Sequence, residues 1–174
     1  MNSTYKSDQF LAVVQANKGI IYKVANIYCK DAEDRKDLVQ EIIVQLWKSF
    51  DNYNERFAYS TWIYKIALNV SISSFRRESR RKEVNGPITD SILFFEDQSE
   101  DGREEEISLL QKFIQELREL ERALMLLYLD EKNYKEIAEM VGISETNVAT
   151  KISRIKKVLK EKFEQYNRGK KWKI

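Results

Sequence analysis

Histidine is absent from this 174-residue chain, and cysteine occurs once, as Cys29. Without histidine the usual zinc sites and histidine general bases cannot be assembled, and one cysteine cannot form an internal disulfide. The five glycines are scattered singly, so the sequence has neither a phosphate-binding glycine loop nor a nucleophile elbow. We therefore expect no catalytic site, no metal and no cofactor, and we expect Cys29 to be a small packed side chain.

Long apolar runs are also missing. No stretch is long enough to span a bilayer, and the first ten residues lack the basic and apolar blocks of a signal peptide. An apolar content of 43% is enough to build a core in one domain or in two small ones. These features predict a cytoplasmic protein.

The net charge of +2 conceals three blocks of opposite sign. Residues 1–82 carry 14 basic and 9 acidic side chains, residues 83–106 carry 1 and 9, and residues 107–174 carry 15 and 10. Two basic lobes joined by an acidic connector indicate two separate contacts with nucleic acid.

The acidic connector, residues 83–106, is predicted to be a linker because it has no sustained hydrophobic period and holds the only proline, Pro87. Its one apolar patch runs from Ile92 to Phe95. That patch either docks on a lobe or partner, or is a small hydrophobic clip in a solvated spacer.

The stretch from Asn133 onward predicts a helix-turn-helix. Asn133 and Glu136 have the spacing of a capping box, Gly142 permits a sharp turn, and Ser144 can cap a second helix that begins at Glu145. Apolar residues then follow at helical spacing: Val148, Ile152, Ile155, Leu159 and Phe163.

The opposite face of that second helix is polar and basic, with Thr146, Asn147, Thr150, Arg154 and Lys157. A recognition helix needs this division, because one face packs against the first helix while the other meets phosphates and base edges in a major groove. An ordinary amphipathic helix pair would show the same pattern.

The N-terminal lobe is predicted to be all helix. A first helix covers residues 8–28, a second begins at a cap, Asp34, and a third covers residues 60–81 after a loop at 51–58. The expected inward positions are Phe10, Val14, Ile21, Val24, Ala25, Leu38, Val39, Ile42, Ile43, Leu46, Ile63, Ile66, Ala67, Val70 and Ser74.

One face of the predicted third helix combines an aromatic ring with polar and cationic residues. It consists of Trp62, Lys65, Asn69, Ser73, Arg76 and Arg80, a set called here the α3 strip. Bases freed from a duplex can stack on aromatic rings while cations follow the phosphates, so the strip suits melted DNA, and Tyr59 and Tyr64 could add rings. Alternatively, the aromatics complete the core and the arginines form a solvated helix end.

Two segments carry a family resemblance. DLVQEIIVQLW, followed by STWIYKIALNVSISSFRR, resembles region 2 of the extracytoplasmic-function (ECF) sigma factors, and LERALMLLYLDEKNYKEIAEMVGISETNVATKISRIKK resembles their region 4. The resemblance implies an all-α fold of two small helical domains, residues 1–82 and 107–174, joined by the acidic linker. It further implies a subunit that binds core RNA polymerase, directs it to promoters and helps to open the duplex without catalysing bond chemistry.

The resemblance also assigns residues to partners. The surface expected to bind core polymerase, which could instead be merely solvated, comprises Asp37, Gln40, Glu41 and Lys48. The residues expected to recognise the minus-10 element, with a flipped base held in the loop, are Asn52, Tyr53, Asn54, Trp62, Lys65, Asn69, Ser73, Arg76, Arg77 and Arg80. Those expected to bind the minus-35 duplex are Thr146, Asn147, Thr150, Lys151, Arg154 and Lys157.

The acidic linker resembles the segment that threads toward the polymerase's active site and RNA exit path. The resemblance also implies an anti-sigma factor, which could hold the protein at the inner membrane, and it implies no small-molecule substrate. Two alternatives stay open: a stand-alone helix-turn-helix regulator, and a sigma-like decoy for an anti-sigma factor.

Three departures from the family pattern affect these expectations. Glu119 stands where many relatives have a proline, which predicts a softer start to region 4. The loop YNERFAYS lacks the glycine often found there, so its base pocket could differ in shape. The recognition helix ends in KISRIKK where many relatives have an arginine-rich variant, which leaves the preferred promoter sequence open. Separately, the tail YNRGKKWKI is predicted to be a basic disordered end.

Overall fold

A computed structural model describes residues 3–85 and 102–171, and within those ranges the regular structure is helical, with no strand. The all-α prediction is confirmed. The chain divides into two compact units, Met1–Ser91 and Ile92–Ile174. None of the helices in the described ranges is both long and apolar enough to cross a membrane.

The first unit packs three helices pairwise: α1 (Ser3–Tyr28), α2 (Ala32–Ser49) and α3 (Tyr59–Asn85). A short 3-10 turn, Phe50–Asn52, follows α2 and leads into the loop before α3. α1 begins earlier than predicted, at Ser3 rather than at residue 8. Its five predicted inward residues are all buried, which confirms that part of the core.

The cap of α2 differs from the prediction. The Asp31 carboxylate accepts hydrogen bonds from the backbone N–H groups of Glu33 (2.9 Å) and Asp34 (3.1 Å). Asp31 is therefore the N-cap, and the prediction of Asp34 as the cap was wrong. Both aspartates have the chemistry of a cap, but the helix begins one turn earlier, so Asp34 lies in its first turn.

The buried face of α3 is rotated from the predicted one. Ile63 and Ala67 are buried as expected, whereas Ile66, Val70 and Ser74 are only partly buried. In their place Tyr64, Leu68 and Ser71 are buried, because α3 packs against both α1 and α2. Tyr64 is 1% exposed, so its ring cannot meet DNA, and that suggestion was wrong. On α2, Ile43 is likewise only partly buried.

The second unit contains α4 (Gly102–Gln115), α5 (Glu119–Leu129), α6 (Tyr134–Val141) and α7 (Glu145–Lys171). α5, α6 and α7 pack pairwise, and α4 lies against α5 and α7. The Glu121 carboxylate accepts from the Arg118 backbone N–H (3.2 Å), so the start of α5 is fixed without a proline. The core is formed by Leu124, Leu127, Ile137, Met140, Val148 and Ile152.

Both ends of the acidic segment 83–106 are helical, since α3 continues through Asn85 and α4 starts at Gly102. Pro87 and the apolar patch at 92–95 lie outside the described residues.

The C-terminal tail is helical through Lys171, so the prediction of disorder was wrong for residues 166–171. Contacts with α4 extend to this end of the helix. The Glu105 carboxylate accepts from Lys170 Nζ (2.5 Å) and from the Tyr166 hydroxyl (3.2 Å). Residues 172–174 lie outside the described range.

Cys29 lies at the end of α1 and is partly buried. Burial, followed by the nearby Glu78 and Asp34 carboxylates, raises the pKa of its thiol to about 11. At neutral pH the thiol is therefore protonated and a weak nucleophile, as a packed structural cysteine would be.

Candidate nucleic-acid interface

The helix-turn-helix forms as the sequence predicts. Asn133 Oδ1 accepts from the Glu136 N–H (2.9 Å), and Glu136 Oε2 accepts from the Asn133 N–H (2.8 Å). Gly142 has a φ of 78°, the left-handed conformation that ends α6 and that glycine adopts without a steric penalty. The Ser144 hydroxyl accepts from the Asn147 N–H (3.2 Å), so it caps α7 at the predicted position. Capping box, turn and second cap are all confirmed.

The two faces of α7 separate as expected. Val148, Ile152, Ile155 and Leu159 are buried and Phe163 is partly buried. The predicted reading face remains solvent-accessible, with Lys151 partly exposed and the other members exposed: Thr146, Asn147, Thr150, Arg154 and Lys157. This arrangement leaves the amide and cationic side chains available for a groove.

The α3 strip is accessible along most of its length. Lys65, Asn69, Ser73, Arg76 and Arg80 are exposed, and Trp62 is partly exposed near the start of the helix. Toward the other end the strip borders a cavity of about 550 Å³ lined by Ser73, Arg76, Arg77, Arg80 and Arg81. Four guanidinium groups at one concavity form a strongly anion-attracting surface.

Arg77 was predicted to touch DNA, but it faces α2 as well. Its Nη2 atom lies 3.5 Å from Glu41 Oε2, and Glu41 belongs to the predicted polymerase surface. The two predicted surfaces of the first unit therefore meet at this ion pair.

The loop before α3 is organised by aromatic rings. Tyr53 stacks on Tyr59 with ring centroids 4.3 Å apart and an interplanar angle of 16°. Trp62 packs edge-on against Tyr53 at 5.3 Å. The Tyr53 hydroxyl donates to the Phe57 carbonyl, which closes the loop. Tyr53, expected in the base pocket, thus also serves as the centre of a small aromatic cluster.

Two asparagines flank Tyr53, and both are exposed. Asn54 Oδ1 accepts from the Arg56 N–H at 3.0 Å, which occupies the amide oxygen within the loop. Asn54 therefore has its NH₂ group left to donate outward, toward acceptors such as those on a base edge. Asn52 ends the 3-10 turn at the start of the loop.

The predicted polymerase face of α2 is accessible: Asp37, Gln40 and Lys48 are exposed, and Glu41 is partly exposed. The same helix also exposes two apolar side chains that the sequence reasoning missed, Val44 at 47% and Trp47 at 37%. Val44 stands four residues from both Gln40 and Lys48, so helical spacing alone could have found it on this face.

Comparisons with known proteins identify the family of the chain. The family model for sigma-70 region 2 matches residues 13–81, and the model for sigma-70 region 4 matches residues 107–159. The chain belongs to the sigma-70 family. The two matches lie in separate compact units and together cover more than two thirds of the sequence.

Curated relatives place this sigma factor in the ECF subfamily. The chain is 25% identical over 167 residues to the ECF RNA polymerase sigma factor SigW of Bacillus subtilis, a match that covers 90% of this chain and 89% of the relative. It is 28% identical over 150 residues to the ECF sigma factor SigM of the same organism, covering 86% and 90%.

Solved structures agree on the fold. The sigma factor RpoE of Bartonella quintana, solved in complex with the anti-sigma factor NepR, superposes with a TM-score of 0.69 at 19% identity, covering 91% of this chain and 96% of that one. CnrH, solved with the cytosolic domain of CnrY, gives a TM-score of 0.65 at 16% identity, covering 91% and 90%.

Membership of the family establishes the function that the resemblance implied. The protein is a sigma factor, which binds core RNA polymerase, directs it to promoters and assists their opening. A stand-alone helix-turn-helix regulator would account for the region 4 match alone.

Proposed function

We propose that this sigma factor divides its work among three surfaces: α2 binds core polymerase, the α3 strip with residues 52–59 holds the melted minus-10 element, and α7 binds the minus-35 duplex. The observation that carries the proposal is that α3 and α7 each bury one apolar face and keep cationic and amide residues on the other. The three surfaces belong to two domains, residues 1–82 and 107–174, with 83–106 as the connecting segment.

On α7 the proposed chemistry is direct readout. Asn147 has the amide that pairs with adenine in a major groove, and Arg154 has the guanidinium that pairs with guanine or with phosphate. Thr150 donates its hydroxyl to the Thr146 carbonyl (3.0 Å), which leaves the Thr150 methyl group and oxygen lone pairs to face a base edge. Lys151 and Lys157 supply phosphate contacts that position the helix.

On α3 the proposed chemistry is capture of a separated strand. Trp62 and Arg80 lie 18 residues apart in sequence, which in a continuous helix corresponds to roughly 27 Å. The partly exposed Trp62 ring lies beside the loop, where a base can stack, and the cations continue along the axis beside the phosphates.

On α2 the proposed contact combines charge with an apolar anchor. Asp37, Gln40, Glu41 and Lys48 surround Val44, and an exposed apolar residue within a polar face is typical of a protein interface. Polymerase is the proposed occupant.

One solved neighbour is a sigma factor in complex with the anti-sigma factor NepR, and the other, CnrH, is in complex with the cytosolic domain of CnrY. By analogy we place this protein in the cytoplasm, held inactive by an anti-sigma partner that could be membrane-linked. It acts without catalysing bond chemistry, which it leaves to the polymerase.

The test is reconstitution. Purified protein is added to sigma-free core polymerase, and transcripts from a pool of genomic promoter fragments are sequenced. Defined starts that share two upstream motifs at constant spacing support the proposal. Stable polymerase binding without transcripts would instead indicate the decoy, and tight duplex binding without polymerase dependence would indicate the stand-alone regulator.

Paired variants test the division of work. Asn147→Ala with Arg154→Ala should weaken discrimination at the minus-35 motif alone, and Lys65→Ala with Asn69→Ala should slow opening and weaken discrimination at minus-10 alone. Lys18→Ala, exposed on α1, is the control. If both double variants weaken discrimination at the same DNA motif, the assignment of α3 to minus-10 and α7 to minus-35 is wrong.

A further inference from the structure

The first turns of α1 reach the loop that lies in front of α3. Lys6 Nζ is 2.6 Å from Asp51 Oδ2, a contact between residues 45 positions apart in sequence. The same ammonium group lies 4.6 Å from the centroid of the Trp47 ring. Asp51 belongs to the 3-10 turn and immediately precedes Asn52, the first residue of the proposed base-recognition loop.

Aromatic contacts reinforce this connection. Phe10 is buried and packs edge-on against Trp47 (5.0 Å) and Phe50 (5.3 Å). Phe50 in turn lies 6.1 Å from Trp62. A continuous set of ring contacts therefore joins α1 to the cluster of Tyr53, Tyr59 and Trp62 that shapes the loop.

Lys6 is suited to hold the start of the loop. Its ammonium group binds Asp51 and lies over the Trp47 ring at the same time, and because one ammonium group serves both partners, the side-chain entropy of the lysine is lost only once.

We propose that Lys6 is a positioning residue for promoter recognition: through Asp51 it sets the loop of residues 52–59 in the conformation that captures the flipped base. Lys6 itself does not contact that base. The inference rests on the proposed function of the loop and extends it to a residue of α1 that neither the motifs nor the family matches assign, since the region 2 match begins at residue 13.

A charge swap tests the proposal. Holoenzyme is assembled on core polymerase with wild type, Lys6→Asp, Asp51→Lys and the double swap. Open-complex formation is measured on promoters that carry each base in turn, and also an abasic site, at the minus-10 position where substitution costs most. Lys6→Asp should lower the preference for the favoured base by about threefold to fivefold, in keeping with the loss of a partly exposed ion pair. The double swap should restore most of that preference.

The abasic promoter separates positioning from other roles. Without a base to capture, Lys6→Asp and wild type should open the promoter equally well. A penalty that persists on the abasic promoter would overturn the proposal, because it would mean that Lys6 binds DNA phosphates or polymerase directly. Failure of the double swap to restore preference would also overturn it.

Two further variants keep the test interpretable. Lys6→Arg keeps a cation that can pair with Asp51 and lie over the Trp47 ring, so it should behave like wild type. Lys18→Asp makes the same charge change as Lys6→Asp at an exposed position of α1 and should leave base preference unchanged. If wild-type holoenzyme fails to initiate at all, the proposed function is wrong. If it initiates but Lys6→Asp keeps full base preference, only this inference is wrong.

Discussion

Glu131 is the one non-glycine residue with positive φ in the described parts of the chain, at 58°. It follows the end of α5, where the Glu131 N–H bonds the Tyr128 carbonyl and the Lys132 N–H bonds the Leu127 carbonyl, both at 3.1 Å. These two bonds form a Schellman motif, in which the left-handed position normally belongs to glycine because a Cβ atom is strained there.

Replacing Glu131 by glycine should therefore stabilise the second unit, by about 0.5–1 kcal/mol after the entropy that glycine adds to the unfolded chain is subtracted. Amide hydrogen exchange in α5 and α7 would measure the change in free energy of unfolding. Glu139→Gly, in the interior of α6, is the matched control and should destabilise by about 1 kcal/mol. Slower exchange in both variants, or in neither, would contradict the assignment of strain to Glu131.

Two single residues, Asp34 and Tyr64, show which local features could not be predicted from the sequence. Asp31 and Asp34 have the same capping chemistry, and only the position of the first helical turn selects Asp31. Tyr64 has a spacing that fits either face of α3, and its burial follows from packing against two neighbouring helices. In both cases the deciding information lies in contacts between elements, which a single helical pattern does not contain.

At the scale of elements, the helix-turn-helix was predictable because its signals are local. The start of each of its two helices is set by hydrogen bonds between residues three apart in sequence: Asn133 with Glu136 in α6, and Ser144 with Asn147 in α7. The start of α1 and the helical end of α7 were missed because long-range contacts extend to them, Lys6 with Asp51 and Lys170 with Glu105. The reading face of α7 was predictable as a surface, while its assignment to minus-35 DNA stays a proposal.

Two asparagines of this motif should respond differently to the same substitution. Asn133→Ala removes the cap of α6 and should cost about 1 kcal/mol of stability, because the Glu136 N–H loses its acceptor. Asn147→Ala removes an exposed amide and should leave stability within about 0.5 kcal/mol while weakening minus-35 binding by about 1–3 kcal/mol.

Urea unfolding followed by circular dichroism, together with titration of duplex promoter DNA into holoenzyme, would measure both effects. Equal losses of stability in the two variants would show that Asn147 holds the fold rather than reads DNA.

For the whole molecule, charge is distributed by segment, with basic excess in residues 1–82 and 107–174 and acidic excess between them. Ion pairs within the second unit reduce the number of basic side chains that are available to bind DNA. Lys162 binds Glu116 and Lys170 binds Glu105, both at 2.5 Å. The number of cations that meet phosphate is therefore smaller than the composition suggests.

The salt dependence of DNA affinity measures the number of cations that contact phosphate. Lys157→Gln should make the slope of log affinity against log salt shallower by about 0.9, the value for one phosphate contact on duplex DNA, and Lys170→Gln should leave it unchanged because Lys170 is held by Glu105. The comparison uses holoenzyme on duplex promoter fragments between low and physiological salt. An equal change of slope in both variants would place the end of α7 on DNA as well.

The separation of the two faces of α7 has a consequence for how promoter preference can change over evolution. The residues of its reading face lie outside the buried core, so substitution at each of them should change folding stability by no more than about 0.5 kcal/mol. Around the minus-10 loop the same freedom is missing, because Tyr53 and Trp62 belong to a cluster that also shapes the backbone. Duplicated copies of such a gene would thus diverge first in their upstream motif, and a designer seeking an orthogonal promoter would begin with α7.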